Sequence, residues 1–167
     1  MDLREAQRPL KARYRESPAE ARITLQARGS ESASAVACSV DLGRAVYDAQ
    51  AHAGVGGPGG APCSGDLLLG ALAACSQLTC QMVAESMGLE VQRVEAVVEG
   101  DLDLRGTLGI DGARVGFESI RLRLEVDAPG AKQEQLDSLR RKTERYCVVL
   151  QTLREAPVVE LSWARPS

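Results

Sequence analysis

A long run without any charged side chain constrains this chain more than any other feature. The run covers residues 67–84 (LLLGALAACSQLTCQMVA) and ends at Glu85. A membrane-spanning helix needs about twenty predominantly apolar residues, whereas Gln77, Thr79 and Gln81 interrupt this run. The pattern therefore predicts the buried central helix of a globular domain, and no membrane partner is expected.

The residues that flank this run supply helix start and stop signals. Ser64 or Asp66 can cap the start by accepting a hydrogen bond from a backbone N–H. Gly88, directly after Met87, favours the left-handed backbone conformation that ends many helices. We therefore expect the central helix to lie between these signals.

The N-terminal segment predicts a helical arm. Residues 2–16 are rich in helix formers but carry only a thin apolar stripe, formed by Leu3, Leu10 and Tyr14. This composition favours an arm over residues 1–19, followed by a single domain over residues 20–167.

Strands are expected on both sides of the central helix. Before it, residues 21–27 and 33–42 predict two strands separated by a turn at Gly29-Ser30, with a third strand over residues 44–48. After it, the pattern predicts strands over 89–104 and 114–126, helices over 132–146 and 148–154, and a closing strand over 158–163. The fold class is therefore α+β, with antiparallel sheets packed around a buried helix.

Charge and aromatic content exclude several functions. The chain has 20 basic and 23 acidic residues, a net charge of -3, so it lacks the basic excess that nucleic-acid binding requires. One Trp, three Tyr and one Phe provide little surface for stacking bases. The N-terminus shows no apolar stretch typical of a signal peptide, so we expect a cytoplasmic protein with free thiols.

The sequence gives little support for a metal or a cofactor. Its five cysteines include no CxxC pair, and His52 is the only histidine, so neither a zinc site nor another metal site is expected. The glycine-rich segment 54–65 lacks the spacing of a phosphate-binding loop and predicts a mobile loop or lid. His52, beside this segment, is expected to be a solvated loop residue.

Two cysteines lie at positions of chemical interest. Cys75 lies midway along the central helix and is expected to be buried or nearly so. Cys80 is rotated from it by roughly 140° at 3.6 residues per turn, so these two thiols cannot pair within one helix. Cys147 lies at the junction of two predicted helices, where unpaired backbone N–H groups would favour a thiolate.

The sequences around these two cysteines resemble those of a known family. GDLLLGALAACSQLT and ERYCVVLQTL are similar to the two cysteine motifs of the OsmC/Ohr family, and the likeness in element order covers about residues 20–163. The resemblance implies an OsmC-like fold and an intertwined homodimer. It also implies reduction of organic or hydrogen peroxides: Cys75 becomes a sulfenic acid, Cys147 condenses with it to a disulfide, and an external dithiol restores both thiols.

The sequence departs from the family pattern near Cys75. Ten positions before this cysteine, where peroxidase members have a glutamate that orients an arginine, this chain has Gly65. Asp66 either takes over the carboxylate role or only caps the helix. Arg28 is the first candidate for the arginine, and Arg44 is the second.

Two functions follow from these features. The first is a thiol-dependent hydroperoxide reductase that uses Cys75 and Cys147. The alternative is a binding or scaffold protein of the same fold that lacks efficient peroxide chemistry and holds a small apolar or thiol-bearing ligand. Cys63, in the glycine-rich segment, is either a spare resolving thiol or a simple loop residue.

Overall fold

A computed structural model describes residues 3–17, 21–24, 28–31, 37–42 and 45–164 of the chain. The helical N-terminal segment is present as α1, Leu3–Glu16. It packs against the C-terminal end of the long central helix, α2 (Ser64–Met87), where the Arg4 guanidinium donates a 3.2 Å hydrogen bond to the carbonyl of Glu85.

The first sheet has three antiparallel strands in the order β1-β2-β3. They are β1 (Arg28–Glu31), β2 (Ala37–Asp41) and β3 (Val46–Gln50). The expected turn at Gly29-Ser30 is wrong, because both residues lie inside β1 and Glu31 pairs with Cys38. The backbone pairing with β2 overrides the local turn signal of this dipeptide.

The glycine-rich segment connects β3 to α2. It begins with a short 3-10 helix, Ala53–Val55, and it is tied back to β3 because Gln50 donates its backbone N–H to the carbonyl of Pro62 at 3.1 Å. The Gln50 side chain also accepts a hydrogen bond from Gly60 N–H at 3.0 Å. These bonds fix where the chain enters α2.

The central helix α2 spans Ser64–Met87, as the uncharged run predicts. Gly88 ends it with φ of 69°, the left-handed conformation expected at this position. By length and composition alone α2 could cross a membrane. One face of the helix packs against later strands and helices of the domain, whereas Leu68, Leu78 and Met82 are 40%, 59% and 45% exposed.

The second sheet is an antiparallel pair, β4 (Arg93–Leu102) and β5 (Phe117–Asp127). The strand expected over 89–104 is shorter because Asp103 starts a one-turn helix, α3 (Leu104–Thr107), by accepting the N–H of Arg105 at 2.9 Å. Charged side chains line the outer face of the pair, and its inner face meets α2.

Two helices complete the domain, α4 (Gln133–Tyr146) and α5 (Val148–Arg154). Leu139 and Thr143 of α4 are each 2% exposed. Leu139 joins a core formed with α2 and β4, whose other buried members are Cys80, Val83, Ala84 and Val94. The expected α+β class, with antiparallel sheets and a central helix, is confirmed.

The expected closing strand over 158–163 is absent. This segment has no regular secondary structure, and Val158, Leu161 and Trp163 are 90%, 80% and 91% exposed. A strand forms only where its backbone groups find hydrogen-bond partners, and no strand in the described part of this one chain pairs with the segment.

Candidate active site

Cys75 lies near the middle of α2 and is half-buried. Thr79 is four residues further along the helix, and side chains at this spacing lie next to each other on one face. The Thr79 hydroxyl acts to lower the pKa of the Cys75 thiol. The thiol is therefore held on a rigid element with a polar neighbour.

Cys147 lies at the single-residue junction between α4 and α5. Its backbone N–H donates to the carbonyl of Thr143 at 3.0 Å, and its carbonyl accepts the N–H of Gln151 at 3.0 Å. It thus ends one helix and begins the next, and its own exposure is 0%. The fold brings its thiol near enough to that of Cys75 for each to shift the pKa of the other.

The surroundings of Cys75 favour its thiolate. Burial acts to raise the pKa of the Cys75 thiol, but hydrogen bonds from Val149 N–H, the Cys147 thiol, the Thr79 hydroxyl and Val148 N–H outweigh it, and the pKa is lowered. The amides belong to the first turn of α5, whose N–H groups have no partner within the helix. Cys75 is therefore the more acidic thiol of the pair.

The expectation that the α5 amides would favour a thiolate at Cys147 needs correction. Burial raises the pKa of the Cys147 thiol, and the neighbouring Cys75 raises it further, against the opposing hydrogen bonds of Leu150 and Val149 N–H. The N–H groups at the start of α5 thus act on both thiols, and only for Cys75 do the hydrogen bonds outweigh burial. The pKa of the Cys147 thiol therefore lies above its ordinary value, and that of Cys75 below it.

Asp66 forms a hydrogen bond at the start of α2. Its carboxylate accepts the backbone N–H of Cys63 at 2.8 Å, and this bond, together with the Cys63 thiol, lowers the pKa of Asp66. Of the two roles that the sequence left open, the geometry therefore shows the capping role. The N-cap residue is Cys63, one position before Ser64.

The two arginine candidates are less defined than the cysteines. Arg28 is the first residue of β1, and its backbone pairs with Asp41; its side chain and the whole of Arg44 lie outside the described residues. Their roles stay predictions. Among the described residues, no three His, Cys, Asp or Glu side chains are grouped so that they could hold a metal ion.

Three residues have surroundings that the sequence did not indicate. His52 is exposed, but its Nδ1 accepts the N–H of Gly54 at 3.0 Å and so caps the short 3-10 helix. Burial raises the pKa of the Cys80 thiol, which is 1% exposed in the core. The Thr143 hydroxyl is also buried, and it has no hydrogen-bond partner among the described residues. The burial of both side chains depends on the packing of α2 against α4, which composition does not reveal.

The helices that carry the two cysteines also line a pocket of about 670 Å³. Its walls come from α2, β5 and α5, and include Leu68, Leu72, Phe117 and Leu150. Leu72 precedes Cys75 by three residues on α2, and Leu150 follows Cys147 by three. Neither thiol is among the described residues that line the pocket.

Known structures share this architecture. An OsmC-like protein from Mycoplasma pneumoniae superposes with a TM-score of 0.64 at 15% sequence identity, over 80% of this chain and 89% of that chain. An organic hydroperoxide resistance protein OsmC from Legionella pneumophila gives a TM-score of 0.59 at 20% identity, over 80% and 90%. An organic hydroperoxide resistance protein from Elizabethkingia anophelis gives 0.60 at 17% identity, over 81% and 91%.

The likeness to these structures shows the fold, and the expected OsmC-like fold is confirmed. No curated protein matches the sequence. The family model described as "OsmC-like protein" matches residues 57–162, which is more than half of the chain and includes both Cys75 and Cys147. This chain belongs to the OsmC family.

Proposed function

We propose that the protein is a thiol-dependent peroxidase in which Cys75 attacks the peroxide and Cys147 resolves the product. The proposal rests on the placement of Cys147, at the start of α5, near Cys75 on α2, where the pKa of the Cys75 thiol is lowered and that of the Cys147 thiol is raised. The names of the hydroperoxide resistance proteins with the same fold support a peroxide-related role.

The cycle balances in three steps. The Cys75 thiolate attacks one peroxide oxygen, the O–O bond breaks, and the leaving alkoxide takes a proton, which gives a sulfenic acid and an alcohol. The Cys147 thiol then condenses with the sulfenic acid, forming a disulfide and releasing water. An external dithiol reduces this disulfide through a mixed disulfide and is itself oxidised to a disulfide.

We propose that the working form is a homodimer in the cytoplasm. Apolar side chains on α2 remain open in the single chain, with Leu78 and Met82 59% and 45% exposed, and the 158–163 segment is also uncovered. A second copy is the simplest surface that would cover them. A reducing compartment would keep the thiols ready for the next cycle.

The proposal is tested by adding a stoichiometric amount of cumene hydroperoxide to the reduced protein. We expect a mass loss of about two daltons, and peptide mapping should locate a disulfide between Cys75 and Cys147. Cys75→Ser should abolish peroxide consumption. Cys147→Ser should consume one equivalent and accumulate a sulfenic acid that a dimedone probe traps.

Cys63→Ser is the matched control, because Cys63 caps the start of α2 and is not part of the pair. It should retain turnover with a dithiol. Persistence of both thiols in excess peroxide, or equal activity of Cys75→Ser and the parent protein, would reject the peroxidase function.

The apolar pocket favours a second candidate function, the binding of a small apolar ligand without turnover. Under this function, native mass spectrometry of protein purified from cells should reveal a bound species. Peroxide turnover together with a ligand-free spectrum would exclude it.

A further inference from the structure

Four buried side chains with a hydroxyl or thiol group come from the α2 helix and from α4. Ser76 and Cys80 belong to α2, Thr143 belongs to α4, and Cys147 ends α4. The two helices pack against each other. A buried polar group without a hydrogen-bond partner costs free energy, so a partner is expected for each hydroxyl.

Ser76 has such a partner, whereas Thr143 does not. The Ser76 hydroxyl donates a 3.1 Å hydrogen bond to the carbonyl of Ala73, one turn earlier in α2. The Thr143 hydroxyl makes no hydrogen bond within the described part of the chain, although a helical threonine often donates to the carbonyl four residues earlier. Burial raises the pKa of the Cys80 thiol, and the nearby Thr143 hydroxyl opposes this rise. The hydroxyl is therefore buried but available to another group.

The next buried group along α4 is the Cys147 thiol, four residues after Thr143. The backbone N–H of Cys147 donates to the carbonyl of Thr143 at 3.0 Å, so the helical geometry continues to this cysteine. Side chains at this spacing have Cβ atoms roughly 5–6 Å apart. Both residues carry their polar atom directly on Cβ, so a side-chain rotation can bring oxygen and sulfur within hydrogen-bond range. Burial raises the pKa of the Cys147 thiol, so negative charge on its sulfur needs an added donor.

We propose that Thr143 is a catalytic residue for disulfide formation, in which its hydroxyl donates a hydrogen bond to the Cys147 sulfur as negative charge develops there. This inference rests on the peroxidase function proposed above. In that step the S–S bond forms, the S–O bond of the sulfenic acid breaks, and the Cys147 proton leaves with the hydroxyl group as water. Thr143 keeps its own proton. A hydrogen bond that strengthens as the charge develops lowers the barrier of the step.

Thr143→Val tests this role, because it removes the hydroxyl and keeps the shape of the side chain. After one equivalent of cumene hydroperoxide, rapid quenching and mass spectrometry should show sulfenic acid forming on Cys75 at the wild-type rate. The disulfide should form about tenfold more slowly. The variant should also unfold at a higher urea concentration than wild type, because a methyl group replaces an unpaired buried hydroxyl. A residue that only packs in the core would not slow one step while making the protein more stable.

Two further variants serve as controls. Thr143→Ser keeps the hydroxyl but loses a buried methyl group, so it should unfold at a lower urea concentration and still form the disulfide at the wild-type rate. Ser76→Ala removes a buried hydroxyl that already has a backbone partner, so it should leave the rate of disulfide formation unchanged.

A second measurement needs no peroxide. In protein that carries Cys38→Ser and Cys63→Ser, the Cys75 thiolate attacks dithiobis(nitrobenzoate), releases one nitrothiobenzoate and forms a mixed disulfide. Cys147 then attacks the Cys75 sulfur, which forms the S–S bond and releases the second nitrothiobenzoate, while the Cys147 proton passes to the buffer. Thr143→Val should slow only the second release, again about tenfold.

The outcomes separate this inference from the peroxidase function. A slower second release in Thr143→Val, in a protein that forms no sulfenic acid with peroxide, would refute the peroxidase function alone. An unchanged second release or disulfide rate in Thr143→Val, equal slowing of both steps, or slowing in Thr143→Ser as well, would overturn the role of Thr143. A wild-type protein whose Cys75 reacts with neither reagent would reject both proposals.

Discussion

At the scale of single residues, the chemistry of Cys75 depends on neighbours that donate hydrogen bonds. Val149 N–H, the Cys147 thiol and the Thr79 hydroxyl all act on the sulfur and together outweigh the effect of burial on its pKa. A hydrogen bond to a charged form stabilises that form. Each donor should therefore contribute separately to the reactivity of Cys75.

We expect Thr79→Val to raise the pKa of Cys75, because valine has a similar shape but no hydroxyl. Only the thiolate reacts, so the alkylation rate falls as the pH drops through this pKa. In wild type the alkylation rate should begin to fall at a pH below that at which an ordinary thiol becomes protonated. In the Thr79→Val variant it should begin to fall at a higher pH than in wild type. Loss of one such bond should reduce iodoacetamide reactivity at neutral pH by about three- to tenfold.

Thr79→Ser keeps the hydroxyl and serves as the control. Its pH profile should follow that of wild type, whereas a purely steric role of Thr79 would move the serine variant and spare the valine variant. Identical profiles for Thr79→Val and wild type would contradict the role assigned to the hydroxyl.

At this scale the sequence located the two cysteines but not their neighbours. Cys75 and Cys147 stand in motifs that resemble a family, so their identification did not need their distance. The Phe117 ring packs against Gly65 of α2 and Gly100 of β4, two positions that lie far apart in the sequence. No periodicity connects such positions, since only packing brings them together.

At the scale of elements, the end of α2 depends on one residue with positive φ. Gly88 has φ of 69°, and a Cβ atom there would lie 3.1 Å from the Arg4 guanidinium of α1. A side chain in this backbone conformation costs roughly 1–2 kcal/mol. The position therefore joins the termination of α2 to the docking of α1.

We expect Gly88→Ala to lower the free energy of unfolding by about 1–2 kcal/mol, measured by urea denaturation. Gly130→Ala is the matched control, because Gly130 has open space around it and no positive φ. That variant should change stability by less than about 0.5 kcal/mol. An unchanged free energy of unfolding in Gly88→Ala would contradict this prediction, because it would show that the end of α2 accepts a side chain at this position.

The sequence predicted the helices better than the strands. The apolar periodicity and the end signals of α2, α4 and α5 are local, and their bounds lie close to the expected ones. The β1 strand, in contrast, includes the Gly29-Ser30 pair that predicted a turn. A strand is specified by its partner as well as by its own residues, so local signals place its ends poorly.

At the scale of the whole molecule, the single chain leaves apolar surface uncovered. Trp163 is 91% exposed, and Leu161 is 80% exposed. The sequence of segment 158–163 predicted a strand. The described part of the same chain provides no strand that pairs with this segment. A sequence pattern shows that a segment can pair, but it does not show with which molecule.

We expect Leu161→Asp to weaken the proposed homodimer at least about tenfold, because a charge would be buried at an apolar contact. Sedimentation velocity over a range of protein concentrations measures the change. Ser162→Asp adds the same charge at the neighbouring position, which faces the opposite side of an extended segment, and should have a smaller effect. Sedimentation of wild type as a monomer at all concentrations would refute the dimer.

In the proposed peroxidase cycle, the position of Cys147 between two helices bears on resistance to over-oxidation. Both of its backbone bonds are already made, to Thr143 and Gln151, and its thiol lies near enough to that of Cys75 to shift its pKa. The second thiol would therefore stand next to the sulfenic acid as soon as this forms. Disulfide formation would then compete with further oxidation, which converts a cysteine irreversibly to the sulfinic form.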